Sequence, residues 1–118
     1  MVFAKQHAWG IDGTSRHVEL SGFVPAYGLN LTALFGRLRF LSQSGTAAVT
    51  LCVRGANAQD GSSGLSSWVD FAAHQTADWS GTLDASGSLA GKSFMQFGLA
   101  VKNAGEVEVV PEIQLKQA

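Results

Sequence analysis

Alternation of apolar and polar residues in the last quarter of the chain constrains the fold more than any other feature. The odd-numbered positions are apolar in two runs: Met95, Phe97, Leu99, Val101, and then Val107, Val109, Pro111, Ile113 and Leu115. The even-numbered positions are mostly polar or small, apart from Phe94 and Val110. A period of two residues is typical of a strand with one buried face and one solvated face. The region therefore predicts two strands.

A short link joins these two runs. Asn103-Ala104-Gly105 contains a glycine that can adopt a positive φ, as tight turns often require. We therefore expect residues 94–116 to form an antiparallel hairpin on the face of a core. Pro111 has no backbone N–H to donate, so we expect the final strand to be an edge strand or to be bulged.

Short strands are also predicted upstream. Thr46–Arg54 is rich in residues that favour a pleated surface. The stretch 29–41 fits a helical stripe or a strand, but Gly36 would cost a helix about 1 kcal/mol relative to alanine. We favour a strand over Phe35–Ser42 and keep the helix as the alternative. Trp68–Ala73 is a further strand, after a long Gly/Ser-rich loop.

Together these segments predict an all-β chain of about seven to nine short strands. We expect an antiparallel two-sheet β-sandwich that is jelly-roll-like, because turn signals recur about every 8 to 12 residues. Residues 1–16 have no sustained period and are expected to be an N-terminal arm or an irregular first strand. Residues 17–118 are expected to form a single β-sandwich domain.

Charge and hydropathy exclude several function classes. Charged residues make up only 14% of the chain, against roughly 25% in a typical soluble domain. The net charge is −1 with eight Lys and Arg residues, which disfavours nucleic-acid binding through phosphate neutralisation. No apolar run approaches the roughly 20 residues that span a bilayer. The segment Met1–Gly10 does not resemble a signal peptide, so we expect synthesis in a reducing cytoplasm.

The residue types that carry chemistry form no catalytic pattern in the sequence. Cys52 lies in an apolar run and is expected to be a small buried hydrophobe rather than a reactive thiol. His7, His17 and His74 lack the spacing of zinc ligands. The carboxylates of Glu106, Glu108 and Glu112 share one strand face, which is expected to be solvated and to discourage edge pairing. We therefore predict no enzyme activity, no cofactor and no metal site.

Two functions remain as hypotheses. The preferred one is a non-catalytic structural module that packs into a homo-oligomer or on a larger particle, for example as an accessory protein of a phage virion. Gly98 and Ala100 leave a smooth patch where a subunit contact is expected. The alternative is a carbohydrate-binding module, in which Trp9, Trp68 and Trp79, with Tyr27, would stack on sugar rings. The competing interpretation of these tryptophans is that they plug the ends of the core.

Overall fold

The computed structural model describes residues 1–26, 31–84 and 89–117. These residues form nine strands: β1 Gln6–Gly10, β2 Ser15–Glu19, β3 Val24–Pro25, β4 Leu31–Gly45, β5 Ala48–Ala56, β6 Val69–Asp70, β7 Trp79–Asp84, β8 Phe94–Lys102 and β9 Gly105–Gln117. Over these ranges, no helix is long and apolar enough to cross a membrane. The predicted all-β class is confirmed, and the strand predicted over Phe35–Ser42 lies within β4.

The strands pair into two antiparallel sheets, as predicted. The first sheet has the order β1-β9-β4-β7. The second sheet has the order β2-β8-β5-β6, and β3 pairs with the same edge of β8 as β2 does. β8 and β9 are therefore interior strands, one in each sheet.

One face of each sheet contributes to a single hydrophobic core. The second sheet supplies Leu51, Phe97 and Leu99, and the first sheet supplies Val107 and Ile113, all with no exposed surface. Burying a side chain of this size contributes about 1.5–3 kcal/mol. The two sheets approach closely at Gly36 of β4, where an added Cβ would lie only 2.6 Å from Leu51 Cδ1. Glycine at position 36 therefore serves packing between the sheets.

The predicted hairpin over residues 94–116 is wrong. β8 and β9 are consecutive strands, but they belong to different sheets and do not pair with each other. The link at Asn103 and Gly105, both with positive φ, carries the chain from one sheet to the other. The alternation arises because the two strands face one core from opposite sides. A period of two reports the buried face of a strand and contains no information about its neighbour.

The expectation for the final strand also needs correction, because β9 is interior rather than an edge. Pro111 is buried and lies opposite Leu38 of β4, whereas its carbonyl oxygen accepts a hydrogen bond from the Phe3 N–H on the other side. The nitrogen and oxygen of one strand residue point the same way, so the missing donor faces residues 3–5. That segment lies outside β1, so the missing N–H removes no hydrogen bond from the pairing of β9 with β1 or with β4. The nearest bulge is in β4, between Phe40 and Ser42.

The first sixteen residues are tied to the rest of the fold. The Met1 ammonium group donates to the Ile113 carbonyl at 2.8 Å, and the Ile113 N–H donates to the Met1 carbonyl at 2.9 Å. β1 continues this edge of the first sheet by pairing with β9, from Gln6 opposite Val109 to Gly10 opposite Gly105. Residue 15 already begins β2 in the second sheet.

Candidate functional site

The outer face of the second sheet carries a group of covered polar residues. In β5, Leu51 and Val53 point into the core, so Cys52 points to the opposite face together with Thr50 and Arg54. Thr50 and Cys52 nevertheless have no exposed surface. These positions follow the outward phase of the strand, but they are shielded from solvent.

Trp68 provides much of this cover. An added Cβ at Gly98 of β8 would lie 3.0 Å from the Trp68 ring, so the indole lies directly on the glycine. The Arg54 guanidinium lies 4.5 Å from the centre of the same ring. The His17 imidazole stacks on Trp68 with ring centres 5.5 Å apart and planes 6° from parallel. The smooth patch expected at Gly98 and Ala100 is therefore covered by the chain itself.

Hydrogen bonds satisfy the buried polar atoms around Arg54. Its Nε–H donates to Gln96 Oε1 at 2.7 Å, and the Gln96 amide donates to the Ser21 carbonyl at 3.0 Å. The outer end of the guanidinium donates to Glu19 Oε1 at 3.3 Å. Because Gln96 is only 4% exposed, losing this partner would leave a desolvated polar group, which costs about 1–3 kcal/mol.

A histidine, a cysteine and an aspartate meet beside this network. Cys52 lies in register between Gly98 on one side and Asp70 of β6 on the other. His17 of β2 lies opposite Ala100, in the next row of the sheet. The ligand atoms of His17, Cys52 and Asp70 all lie within 4.8 Å of one another. The His17 Nε2 to Asp70 Oδ1 distance is 3.5 Å.

Burial determines the protonation of the thiol. It raises the pKa of Cys52 far above the usual value, the Asp70 carboxylate raises it further, and Arg54 acts in the opposite direction. The thiol is therefore protonated at neutral pH and cannot act as a nucleophile in this state. The prediction that Cys52 is buried is confirmed, although it lies outside the core.

His74 lies close enough to interact with the same groups. Burial lowers its pKa, Asp70 raises it, and the positive charges of Lys102 and His17 lower it further. Its Nε2 is buried and has no hydrogen-bond partner. The backbone of Gln75 pairs with Val49 of β5, which holds this segment against the second sheet.

The outer face of the first sheet is different, because each of its polar pairs has at least one exposed partner. Each of the three carboxylates predicted to share a strand face has a nitrogen-bearing side chain nearby: Glu106 has His7 at 3.5 Å, Glu108 has Lys5 at 3.7 Å and Glu112 has Arg37 at 2.5 Å. Hydrogen bonds from Gln114 and Arg37 lower the pKa of Glu112. Since β9 is an interior strand, these carboxylates do not protect a free edge.

A depression of about 350 Å³ opens beside these pairs. Its lining consists of Arg37, Leu38, Arg39, Asp78, Trp79 and Ser80. The Asp78 carboxylate accepts a hydrogen bond from the Phe40 N–H at 2.7 Å and so holds the loop before β7 against β4. The depression contains no paired acid and base at hydrogen-bond distance, so it suggests no reaction.

The three candidate tryptophans do not share a surface. Trp9 is 53% exposed and lies on β1 opposite Glu106, on the outer face of the first sheet. Trp68 is partly buried on the outer face of the second sheet. Trp79 packs against the core, with its ring edge-to-face to Phe71. Tyr27 lies outside the described residues, and the other three rings cannot form one stacking platform.

Sequence reasoning missed the meeting of His17, Cys52 and Asp70. Histidine spacing alone gave no indication of it, because the three residues belong to three strands of the second sheet. A usable signal was the phase of each strand. Val18, Leu51 and Val69 occupy the core phase, which places the three site residues on the opposite face. The order β2-β8-β5-β6 is the information that the sequence lacked.

No protein-family model matches this chain, and no curated protein matches it either.

Proposed function

We propose that this chain is a non-catalytic structural module that associates with copies of itself through the edge of the first sheet. One observation carries the proposal. Six large apolar side chains are exposed among the described residues, and four of them lie in the first eleven: Met1, Val2, Trp9 and Ile11. Val2 is 68% exposed and Trp9 53%. An edge strand with apolar neighbours is a template for contact with another chain.

The charges near this edge favour a second copy as the partner. Lys5 is paired with Glu108, and His7 lies 3.5 Å from Glu106, so the carboxylates near this edge already have partners within the chain. The net charge of −1 over 118 residues gives little repulsion between copies. A larger particle, such as a phage virion, is the other partner that the same edge could accept.

We infer further that the two sheets form a jelly-roll-like sandwich. Its support is the nested pairing of the strands, because β1 pairs with β9, β2 with β8, β4 with β7 and β5 with β6. This nesting is expected when the chain first forms one long antiparallel hairpin and the hairpin then folds over into two sheets. Jelly rolls are found in viral capsid and lectin domains, an analogy of fold that does not by itself assign a function.

Sedimentation and light scattering at micromolar concentration test the association. The full chain is expected to form a defined oligomer, and Trp9→Glu is expected to shift it towards the monomer. Leu65→Glu is the matched control, because Leu65 is 48% exposed but lies in the loop between β5 and β6. A chain that stays monomeric and binds no particle contradicts the proposal, as does an equal effect of both variants.

Glycan binding is the second candidate, and the exposure of Trp9 favours it. An exposed indole offers a flat apolar face on which a sugar ring can stack. Titration of tryptophan fluorescence with a panel of glycans tests this function. A saturable change that Trp9→Ala abolishes supports glycan binding, whereas no response across the panel removes it.

A further inference from the structure

We propose that His17, Cys52 and Asp70 bind one divalent transition-metal ion, with Zn²⁺ as the ion that fits best. β2, β5 and β6 bring an imidazole nitrogen, a thiol sulfur and a carboxylate oxygen within 4.8 Å of one another. Imidazole and thiolate are the ligands that Zn²⁺ prefers, and carboxylate oxygen is its third common ligand. The proposal is independent of self-association.

The distances between these atoms suit a tetrahedral ion. Zinc binds nitrogen and oxygen at about 2.0–2.2 Å and sulfur at about 2.3 Å, so neighbouring ligands lie about 3.3–3.6 Å apart. The His17 Nε2 to Asp70 Oδ1 separation of 3.5 Å already has this length, and it is longer than an ordinary hydrogen bond. Both side chains are about one-third exposed, so rotation can shorten the longer separations.

Small residues in β8 make the cluster possible. β8 lies between β2 and β5. It places Ala100 beside His17 and Gly98 beside Cys52. Larger side chains there would occupy the space through which the imidazole approaches the thiol. Trp68 lies on Gly98 and stacks on one face of the His17 imidazole.

Charge neutralisation explains how a buried thiol can become a ligand. Zn²⁺ takes the thiolate of Cys52 and the carboxylate of Asp70, so the ion and its two anionic ligands sum to zero charge. Cys52 loses its proton to solvent in the process, and His17 binds as the neutral imidazole. Arg54 also favours the thiolate. Zinc affinity should therefore rise with pH.

The fourth position of the ion is left for water or for His74. The buried Nε2 of His74 has no hydrogen-bond partner, and its charge interacts with those of Asp70 and His17. The proposal requires only the three ligands that already lie together.

Titration of the reduced, chelator-treated full chain with Zn²⁺ and with Co²⁺ tests the site. Calorimetry should show one Zn²⁺ per chain and release of one proton from Cys52. Bound Co²⁺ should show a sulfur-to-metal charge-transfer band, which a site made only of histidine and carboxylate cannot produce. Cys52→Ala should abolish the band, and His17→Gln or Asp70→Asn should weaken Zn²⁺ binding at least about 10-fold.

The chain provides a matched control on its other sheet. His7 Nε2 and Glu106 Oε2 are also 3.5 Å apart, but no cysteine lies beside them among the described residues. His7→Gln should therefore leave Zn²⁺ affinity and the Co²⁺ band unchanged. Cys52→Ser serves as a second variant if Cys52→Ala does not fold, with circular dichroism as the check on folding.

Three results would overturn the proposal: no Zn²⁺ binding at micromolar concentration, Co²⁺ binding without a sulfur band, or equal weakening by His7→Gln and His17→Gln. The Trp9→Glu variant separates this site from the proposed association. If that variant is monomeric and still binds Zn²⁺, the two properties are independent. If the wild-type chain is monomeric, binds no particle and binds Zn²⁺, only the proposed function fails.

Discussion

The outer faces of the two sheets follow the same strand alternation, yet they meet different surroundings. On the first sheet the outward residues are charged and each pair has at least one exposed partner, with Arg37 and Glu112 as the closest pair. On the second sheet the outward residues Thr50 and Gln96 are at most 4% exposed. The second sheet is covered by a segment of its own chain, chiefly at Trp68, whereas no described segment covers the charged pairs of the first.

This contrast changes how much a polar side chain contributes to the stability of the fold. Exposed ion pairs such as Lys5–Glu108 exchange one solvated arrangement for another, and such pairs contribute about 0–1 kcal/mol. Beside Trp68, a covered polar atom that has no partner within the protein loses its hydrogen bonds to water, and Gln96 avoids this by bonding with Arg54 and Ser21. The second sheet therefore depends more strongly on its particular outward residues.

The largest expected effect comes from removing the cover. Trp68→Ala should lower the free energy of unfolding by about 2–3 kcal/mol, because a large partly buried ring is lost from Gly98. Trp9→Ala should change it by less than about 0.5 kcal/mol, because that ring is mostly in solvent. Urea denaturation of both variants, at concentrations where the chain is monomeric, measures the difference. Equal effects would mean that the second face is not covered as described.

A smaller effect is expected from the polar network. Arg54→Met keeps much of the side-chain volume but removes the donor to Gln96 Oε1, so the free energy of unfolding should fall by about 1–3 kcal/mol. Arg37→Met on the first sheet should cost less, because its partner Glu112 keeps the hydrogen bond that Gln114 donates to it at 2.9 Å. Thermal denaturation of the two variants side by side checks the order. A larger loss from Arg37→Met would reverse the proposed contrast.

The smallest effect concerns pH. The pKa of Cys52 is raised in the folded chain, so the folded state holds its proton more tightly than the unfolded state does. The stability associated with the neutral thiol is complete below the unfolded pKa and is lost progressively above about pH 9. Above about pH 9, the free energy of unfolding of the metal-free wild-type chain should therefore fall more steeply with pH than that of Cys52→Ala. Parallel pH profiles would show that Cys52 is not desolvated.

Sequence alone was sufficient for the all-β class and for the buried faces of the last two strands. The strand predicted over Trp68–Ala73 is shorter in the structure, where β6 covers only Val69–Asp70. Val107, Val109 and Ile113 were expected in the core and lie there. The pairing of strands was not predictable in the same way, because alternation is identical for a hairpin and for two strands in facing sheets. The link at Asn103 permits both arrangements, and only the packing of all nine strands selects between them.

The candidate site was less predictable than the fold. Strand alternation with Leu51 and Val53 could have placed the Cys52 side chain on the outer face of β5. The apolar residues next to it in the sequence instead favoured a position in the core. Its neighbours His17 and Asp70 lie 35 residues before it and 18 residues after it. Their meeting depends on the small side chain of Ala100 and on the strand order, which are properties of the assembled sheet.

The position of β8 and β9 has a consequence for the order in which the chain can fold. These strands come last in the sequence, yet each lies in the interior of its sheet, between β2 and β5 or between β1 and β4. As the chain is synthesised from its N-terminus, neither sheet can be completed until residues 94–117 have left the ribosome. Pairings of such long sequence separation fold slowly. Until then the edges of β2 and β4 remain open to pairing with neighbouring chains.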